Sequence, residues 1–519
     1  MTEHEISVPM EGLADPRFDS VTRNKLLADH ATLSFILSAA YSKMFGRIIR
    51  VMHSLGDGVY CIDSENSPIT EEMAIKLSNK MKEIVTSSIP IEKQSIGRAE
   101  LLKFFQEVGR MDKVGVLKAW QDHFIPCISY DGFIDYQIEE MCTDKKRLQV
   151  FEIRLYDKGL LLRFPTLMSP NKLAEWKDRP VLHQIFTEAE DWAELLKADH
   201  VADVNEAILN TRINEIRRIN EGLHEKKISK IAQELAKNFS QKRVILIAGA
   251  SSSNKTTFAK RLCIQLRVSG YGATLIEMDD YFMDVKDIPV DKNGKRDFEH
   301  ISALNVAVLS DRVHSLLKGE SVPSRKFNFK AGKGEDNSSK PMVLPNNNFL
   351  ILEGIHGLNP ELISHIGADI AIPLYVAALT PMHIDMNHRF PTSDLRLIRR
   401  CIRDHQYRGM SVRKTIQMWT TVRVGEERNI FPYHMNAAMF FNSALVYELP
   451  VFSIFGRSLL CEATVPDPDE DPESIESQQI TEEARRLLGL LNFFYPLSPE
   501  RISKISCIRE FIGGSDLAY

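Results

Sequence analysis

Two kinds of hydrophobic pattern divide the chain. Between Thr22 and about Pro170, helical periodicity such as LLADHATLSFILSAAYSKMF mixes with strand-like runs, RLQVFEIRLY and GLLLRFP. That mixture predicts an α+β domain, placed at 21–200 behind an N-terminal tail at 1–20. From about Ala202 to Asn238 apolar residues recur every three or four positions in a polar, charged, proline-free stretch. It predicts helices joining two domains, at 201–240. Beyond it come fully apolar runs, RVILIAGA, ATLIEMDDYF, NNFLILEGIHGL and ADIAIPLYV, separated by helical spans. Strands that do not alternate are buried on both faces, and strand-helix-strand order predicts a parallel sheet with helices on both faces. This α/β domain is placed at 241–462. The remainder, 463–519, opens with the acidic, proline-bearing VPDPDEDPESIESQQITE, which predicts an exposed linker before a last helix, EARRLLGLLNFF.

Composition adds mainly exclusions. A chain of 519 residues has room for two or three cores. With 65 basic and 70 acidic side chains the net charge is -5, which gives no electrostatic case for nucleic acid or membrane. No apolar run approaches the ~20 residues of a spanning helix, and MTEHEISVPMEG lacks the basic start and apolar core of a secretion signal. A soluble, cytoplasmic protein is expected. Seven cysteines without a CxxC pair fit neither a disulfide framework nor a zinc knuckle.

The chemistry begins at VILIAGASSSNKTTFAKRL. A strand, a turn and a helix surround something close to GxxxxGK[ST], the setting in which backbone N–H groups and a helix N-terminus cradle phosphates. Gly249, Ser251, Ser252, Ser253, Asn254, Lys255, Thr256 and Thr257 make up this expected triphosphate cradle. Lys255 would reach the phosphates and Thr256 would offer a hydroxyl to Mg²⁺. The competing reading is a serine-rich helix cap. Asn254 stands where a second glycine is expected. Asparagine best tolerates the left-handed backbone that glycine supplies, so the turn is expected to survive, with side-chain bulk added beside the phosphates.

Two acids follow at the carboxyl ends of apolar strands, where open α/β sheets bind ligands. Asp279, beside Asp280, could take the proton of an attacking hydroxyl or hold Mg²⁺ through water; Glu353 repeats the placement. The plainer reading is a solvated strand end. In SDLRLIRRCIRDHQYRG, Arg396, Arg399, Arg400, Arg403 and Arg408 are spaced to turn several guanidinium groups toward one region. Such planar donors suit a transferring phosphoryl group, against the alternative of a solvated basic face.

With these motifs the chain resembles the uridine kinase and phosphoribulokinase family of P-loop kinases, most closely its longer two-domain uridine kinase-like members. The likeness runs from about Arg243 to Pro450 and into IREFIGG, through EMDDYF, FNFKAGK, LILEGIHGLNPEL, DLRLIRRCIRDHQYRG and IFPYHMNAAMFFNSALVYELPV in that order. The resemblance implies ATP or GTP as donor, Mg²⁺, and the 5′-hydroxyl of uridine or cytidine as acceptor. It implies that Lys255 and Thr256 meet the triphosphate and Mg²⁺, that Asp279 activates the acceptor hydroxyl, and that Glu353 lies near the metal. Arg403 and Arg408 would make lid contacts with the phosphates. Glu299 of DFEH and Arg400 fall where the family holds the acceptor's sugar, and Phe327 falls near an aromatic that faces the base. FNFKAGKGED has no histidine where uridine-cytidine kinases read the pyrimidine, which leaves a non-nucleoside acceptor open.

The first domain resembles the second additional domain of threonyl-tRNA synthetases. Its active constellation does not carry over: His30 is followed by Ser34 rather than a second histidine, and YDGFIDYQIEEM brings neither Cys nor His. Metal binding and tRNA editing have little support, His30 reads as a structural or capping residue, and a binding or homo-oligomerisation role is what remains. The alternative to a kinase is a nucleotide- or RNA-binding regulator with a decayed kinase site, motivated by Asn254, the altered acceptor segment and the synthetase-like first domain.

Overall fold

The computed structural model describes residues 20–290, 296–328, 331–468 and 470–517. The chain divides into two compact units, one ending at Asp178 and comprising the residues up to Gly97 with Phe124–Asp178, the other comprising Arg98–His123 and the residues from Arg179 onward.

The first unit holds helices α1 (Ser20–Phe45) and α2 (Glu71–Thr86) and two antiparallel sheets. One sheet has the order β1 (Ile49–Leu55), β2 (Gly58–Asp63), β7 (Gly159–Arg163), β6 (Glu152–Tyr156); the other is β3 (Glu92–Gly97), β4 (Phe124–Tyr130), β5 (Phe133–Tyr136). Leu33, Ile36 and Leu37 of α1 and Leu77 and Met81 of α2 share a core with Cys61, Leu160 and Leu162 of the central strands. His30 stacks on Phe164 at 4.3 Å, with its Nε2 2.9 Å from Pro165 O, which is the structural role expected of it.

In the second unit α3 (Arg98–Glu107) and α4 (Met111–Ala119) lead, by way of the first unit's strands, to α5 (Pro180–Leu195), α6 (Val201–Leu209) and α7 (Ile213–Lys237). A five-stranded sheet follows in the order β14 (Met439–Asn442), β13 (Ala371–Ala377), β8 (Val244–Ala248), β12 (Asn348–Glu353), β9 (Gly272–Glu277), parallel throughout. Alternate residues of the apolar strands serve two cores. Val244, Leu246, Leu350 and Leu352 pack against Leu309 and Val313 of α9 (Val306–Leu317) and Leu362 of α10 (Pro360–Ile366). Ile245, Ile247, Phe349 and Ile351 pack on the other face against α7 and Phe258 and Leu262 of α8 (Lys255–Val268). The parallel sheet with helices on both faces is therefore as the apolar runs predict. A hairpin, β10 (Val322–Asn328) and β11 (Lys333–Met342), stands apart from the sheet, and α11 (Thr392–Arg408), α12 (Val412–Asn429), α13 (Glu448–Ala463), α14 (Ile475–Asn492) and α15 (Arg509–Ile512) complete the unit.

Three expected boundaries move. The unit limit falls at 178/179 rather than near 200, and residues 98–123 join the second unit. Helix α7 is no linker: Ile228, Ile231, Ala232 and Leu235 are buried in the sheet core. The acidic linker is shorter than expected, because α14 already begins at Ile475 and Glu470 accepts hydrogen bonds from Arg413 Nε, 3.0 Å away. Buried Arg413 gives that otherwise polar segment a fixed partner. Among the described residues no helix is long and apolar enough to cross a membrane.

The 98–123 excursion is locked in by charge. Lys113 Nζ lies 3.1 Å from Asp385 Oδ2, with both side chains essentially inaccessible. Burial works to raise the Asp385 carboxyl, but His388 and Lys113 beside it hold it well below the usual carboxylate range. Removing one partner of a buried pair strands the other charge. We expect Lys113→Met to destabilise the second unit by about 3–5 kcal/mol, read as a lower denaturant midpoint at unchanged slope.

Candidate active site

Strand β8 delivers the loop. At Gly249 a Cβ would lie 2.3 Å from Val376 O of the neighbouring strand, so this position admits only glycine. Ser252 (φ 59°) and Asn254 (φ 66°, ψ 32°) both take the left-handed conformation, and Lys255 then opens α8. The backbone expected of Asn254 is present. The expected bulk beside the phosphates is not how the side chain is used: it is buried, its Nδ2 donates to Cys507 O (2.9 Å) and Glu510 Oε2 (3.0 Å), and its Oδ1 accepts from Arg399 Nη1 (2.9 Å).

The other loop residues divide between two directions. Ser251 N donates to Glu426 Oε1 (2.9 Å) and Ser251 Oγ accepts from Arg400 Nη1 (2.8 Å). The Ser252 and Ser253 hydroxyls are buried with no hydrogen-bond partner among the described residues. Thr257 Oγ1 donates to Glu510, which turns this hydroxyl toward the C-terminal segment. Lys255 Nζ donates to Ala250 O at 3.2 Å, and Thr256 Oγ1 donates to Glu353 Oε2 at 3.1 Å.

Both strand-end acids come to this loop. Asp279 lies in the single 3₁₀ turn Met278–Tyr281 that ends β9. Its carboxyl is raised by loss of hydration, opposed by the charges of Lys255 and Arg408 and reinforced by Glu277 and Asp280. Asp280 is committed elsewhere, accepting from Lys326 Nζ (2.8 Å) and Phe327 N (3.2 Å). Glu353, buried at the end of β12, is pushed up to about 7 by burial, with Lys255 opposing and Asp279 adding to the shift. Lys255, Asp279, Glu353 and Arg408 thus share one electrostatic neighbourhood. The Thr256 hydroxyl and the Glu353 carboxyl offer hard oxygen ligands side by side, a donor set that suits Mg²⁺.

The arginines of α11 do not form a solvated face. Arg396 donates to Glu426 Oε1 (2.6 Å), Arg399 pairs with Glu448 (2.6 Å) and donates to Ser252 O (3.2 Å), and all three of Arg396, Arg399 and Arg400 are buried. Arg400, Arg403 and Arg408 gather on the fully buried Asp404, at 3.2, 2.8 and 3.4 Å. Only Arg408 of the three stays substantially exposed, at 53 %.

Glu299 reaches the same region. A Cβ on Gly425 would lie 2.6 Å from its Cγ, and its carboxyl is pushed up to about 7 by burial and by the charge of Glu426, against Arg400 and Lys255. Phe327 is buried in a small apolar cluster with Phe282, Ile288 and Ala303, its ring centroid 5.7 Å from that of Phe282. His356, three residues past Glu353, is buried with both ring nitrogens lacking a partner among the described residues, and burial lowers it to about 4. Sequence reasoning missed Glu426, Asp404, Glu510 and His356 and gave Arg399 no place beside the loop. Asp404, Glu510 and His356 lie within DLRLIRRCIRDHQYRG, IREFIGG and LILEGIHGLNPEL, whereas Glu426 lies in no such segment.

This is the fold and loop of a P-loop kinase. The Phosphoribulokinase / Uridine kinase family profile matches residues 244–447, so the C-terminal part of the chain carries a domain of that family. The chain is 27% identical over 192 residues to a uridine kinase of Halalkalibacterium halodurans, covering 37% of this chain and 78% of the relative. It is 28% identical over 196 residues to a uridine kinase of Clostridium botulinum, covering 37% and 82%. Among solved structures, a possible uridine kinase from Bacillus stearothermophilus overlaps 32% of this chain and 89% of its own at 17% identity, with a TM-score of 0.23.

Proposed function

We propose that the second unit is an ATP- or GTP-dependent kinase that phosphorylates a hydroxyl of a small acceptor, with the 5′-hydroxyl of uridine or cytidine as the first candidate. The loop's Thr256 hydroxyl bonded to the strand-end acid Glu353, with Lys255 opposing the raised carboxyls of both Glu353 and Asp279, carries this reading. In it the acceptor oxygen attacks the γ-phosphorus, the bond to the β,γ-bridging oxygen breaks, and Asp279 receives the hydroxyl proton. A carboxyl that burial makes a stronger base than an exposed aspartate is suited to that exchange. Lys255, Arg403 and Arg408 stabilise charge on the transferring group. Thr256 and Glu353 would hold Mg²⁺, which supplies neutralising charge to the phosphates when bound. Glu299 and Arg400 would hold the acceptor, with Phe327 in the apolar wall behind them.

A non-nucleoside polyol is the second reading of the acceptor, favoured by the absence of a histidine in FNFKAGKGED. Coupled turnover assays over nucleosides and polyols, with ATP and with GTP, decide between them. A folded protein that phosphorylates no acceptor sinks the kinase reading, and sub-micromolar RNA binding by such a protein would favour a regulator instead.

Glu299 gives the acceptor a pH signature. Because its carboxyl is raised to about 7, it is mostly protonated at the acid side and becomes an acceptor-only carboxylate as the pH rises. The acceptor KM should fall by up to about tenfold between roughly pH 6 and pH 8, as the ionised fraction grows from about a tenth to nine-tenths. Glu299→Gln should flatten that dependence. An unchanged slope in the variant would remove Glu299 from the acceptor site.

A further inference from the structure

Asn254 looks like a degraded glycine only while its side chain is ignored. We propose that Asn254 is a clamp through which the C-terminal segment Cys507–Glu510 and Arg399 hold the phosphate loop in its triphosphate-binding conformation; this rests on the kinase reading above. A left-handed backbone favours glycine even over asparagine, the side chain that tolerates it best, so the hydrogen bonds of Asn254 offset a modest conformational cost. It has three hydrogen bonds, to Cys507 O, Glu510 Oε2 and Arg399 Nη1, and two of those partners are ionisable groups. Glycine would satisfy the backbone and lose all three.

Each partner is itself anchored. Glu510 accepts from Thr257 Oγ1 as well as from Asn254 Nδ2, so one carboxylate spans the first turn of α8. Arg399 Nη1 also donates to Ser252 O, the other left-handed residue, and Arg399 is pinned by Glu448. Its guanidinium lies 5.1 Å from the centroid of buried Phe511. Arg509 Nη2 donates to Pro499 O (2.9 Å) and Ile502 O (2.7 Å) and so ties the segment to the chain before it. Both left-handed turns of the loop are therefore held by side chains from outside it. Asn254 and Glu510 are positioning residues, acting on the triphosphate through the backbone they fix.

The two views of Asn254 differ in sign. If the residue were merely tolerated, Asn254→Gly would leave triphosphate affinity unchanged or tighten it. The clamp requires it to weaken. Calorimetric binding of the nonhydrolysable ATP analogue AMP-PNP with Mg²⁺ to the full chain would be measured for wild type, Asn254→Gly, Glu510→Ala, Glu510→Gln and the Asn254→Gly/Glu510→Ala double variant. Asn254→Gly and Glu510→Ala should each weaken binding by about tenfold, and the double variant should be little worse than either, because they break one shared interaction. Glu510→Gln keeps an acceptor oxygen and should recover most of the affinity. The acceptor KM, read in turnover assays, should not follow these changes, whereas general loosening of the fold would move both. Equal or tighter binding by Asn254→Gly, or fully additive losses, overturns the clamp alone. If Asn254→Gly does not fold, the Glu510 pair carries the test, and undiminished binding by Glu510→Ala overturns the clamp. Wild type that binds neither AMP-PNP nor the corresponding GTP analogue overturns the kinase reading and the clamp with it.

Discussion

Asp279→Asn should lower turnover by about two to four orders of magnitude while triphosphate affinity changes little, the usual consequence of removing a positioned general base. Asparagine keeps the shape of the side chain and cannot take a proton at neutral pH. Asp280 is a poor substitute, since Lys326 Nζ and Phe327 N already occupy its two oxygens. The loss should therefore persist in Asp279→Asn rather than be masked by its neighbour. Single-turnover rates separate this from a binding defect, and a wild-type rate in the variant would remove Asp279 from the reaction.

Lys255→Ala should lower turnover by on the order of 10³–10⁵, the range known for losing a single cation that stabilises a transferring phosphoryl group. The structure adds a second effect. The Lys255 charge lowers the proton affinity of both Asp279 and Glu353, so its removal leaves each acid more protonated at a given pH. A base that must be ionised to act is then available only at higher pH. The residual activity of Lys255→Ala should accordingly show its acidic limb displaced upward in pH relative to wild type. A parallel, unshifted profile would mean that Lys255 acts on the phosphates alone.

The sheet was legible because burial on both faces leaves an unmistakable sequence record. VILIA, NFLILE and AIPLYVA have no alternation to hide, and the two cores take alternate residues from each. The loop was legible because strand, turn and helix are contiguous. The excursion at 98–123 was not, since nothing local in α3 or α4 says that Lys113 belongs with Asp385, far along the chain. Helix α7 read as a linker because its exposed side is strongly charged, yet a single stripe, Ile228, Ile231 and Leu235, suffices to bury it on the sheet.

The loop's supports were hidden for the same reason. Glu510 meets Asn254 and Thr257 across more than half of the second unit's sequence, and Glu426 meets Ser251 from a helix with no motif of its own. The arginines of α11 showed helical spacing, but spacing alone does not say which turn inward. Burial separates them: Arg396 and Arg399 are fixed by Glu426 and Glu448, while Arg408 stays exposed beside Asp404. Asn254 shows the limit most clearly. Its backbone conformation followed from residue chemistry, whereas the use made of its side chain depends on residues around 145 and 250 positions away.

Whether this loop and its acids transfer phosphate is read from transfer of label from γ-phosphate-radiolabelled ATP or GTP to a panel of nucleosides and polyols, with wild type and Lys255→Ala side by side. Wild type should yield a labelled phosphomonoester of at least one acceptor, and Lys255→Ala at least about a thousandfold less of it. A folded wild-type protein that binds the triphosphate and labels no acceptor, or equal labelling by the two proteins, would contradict transfer by this loop.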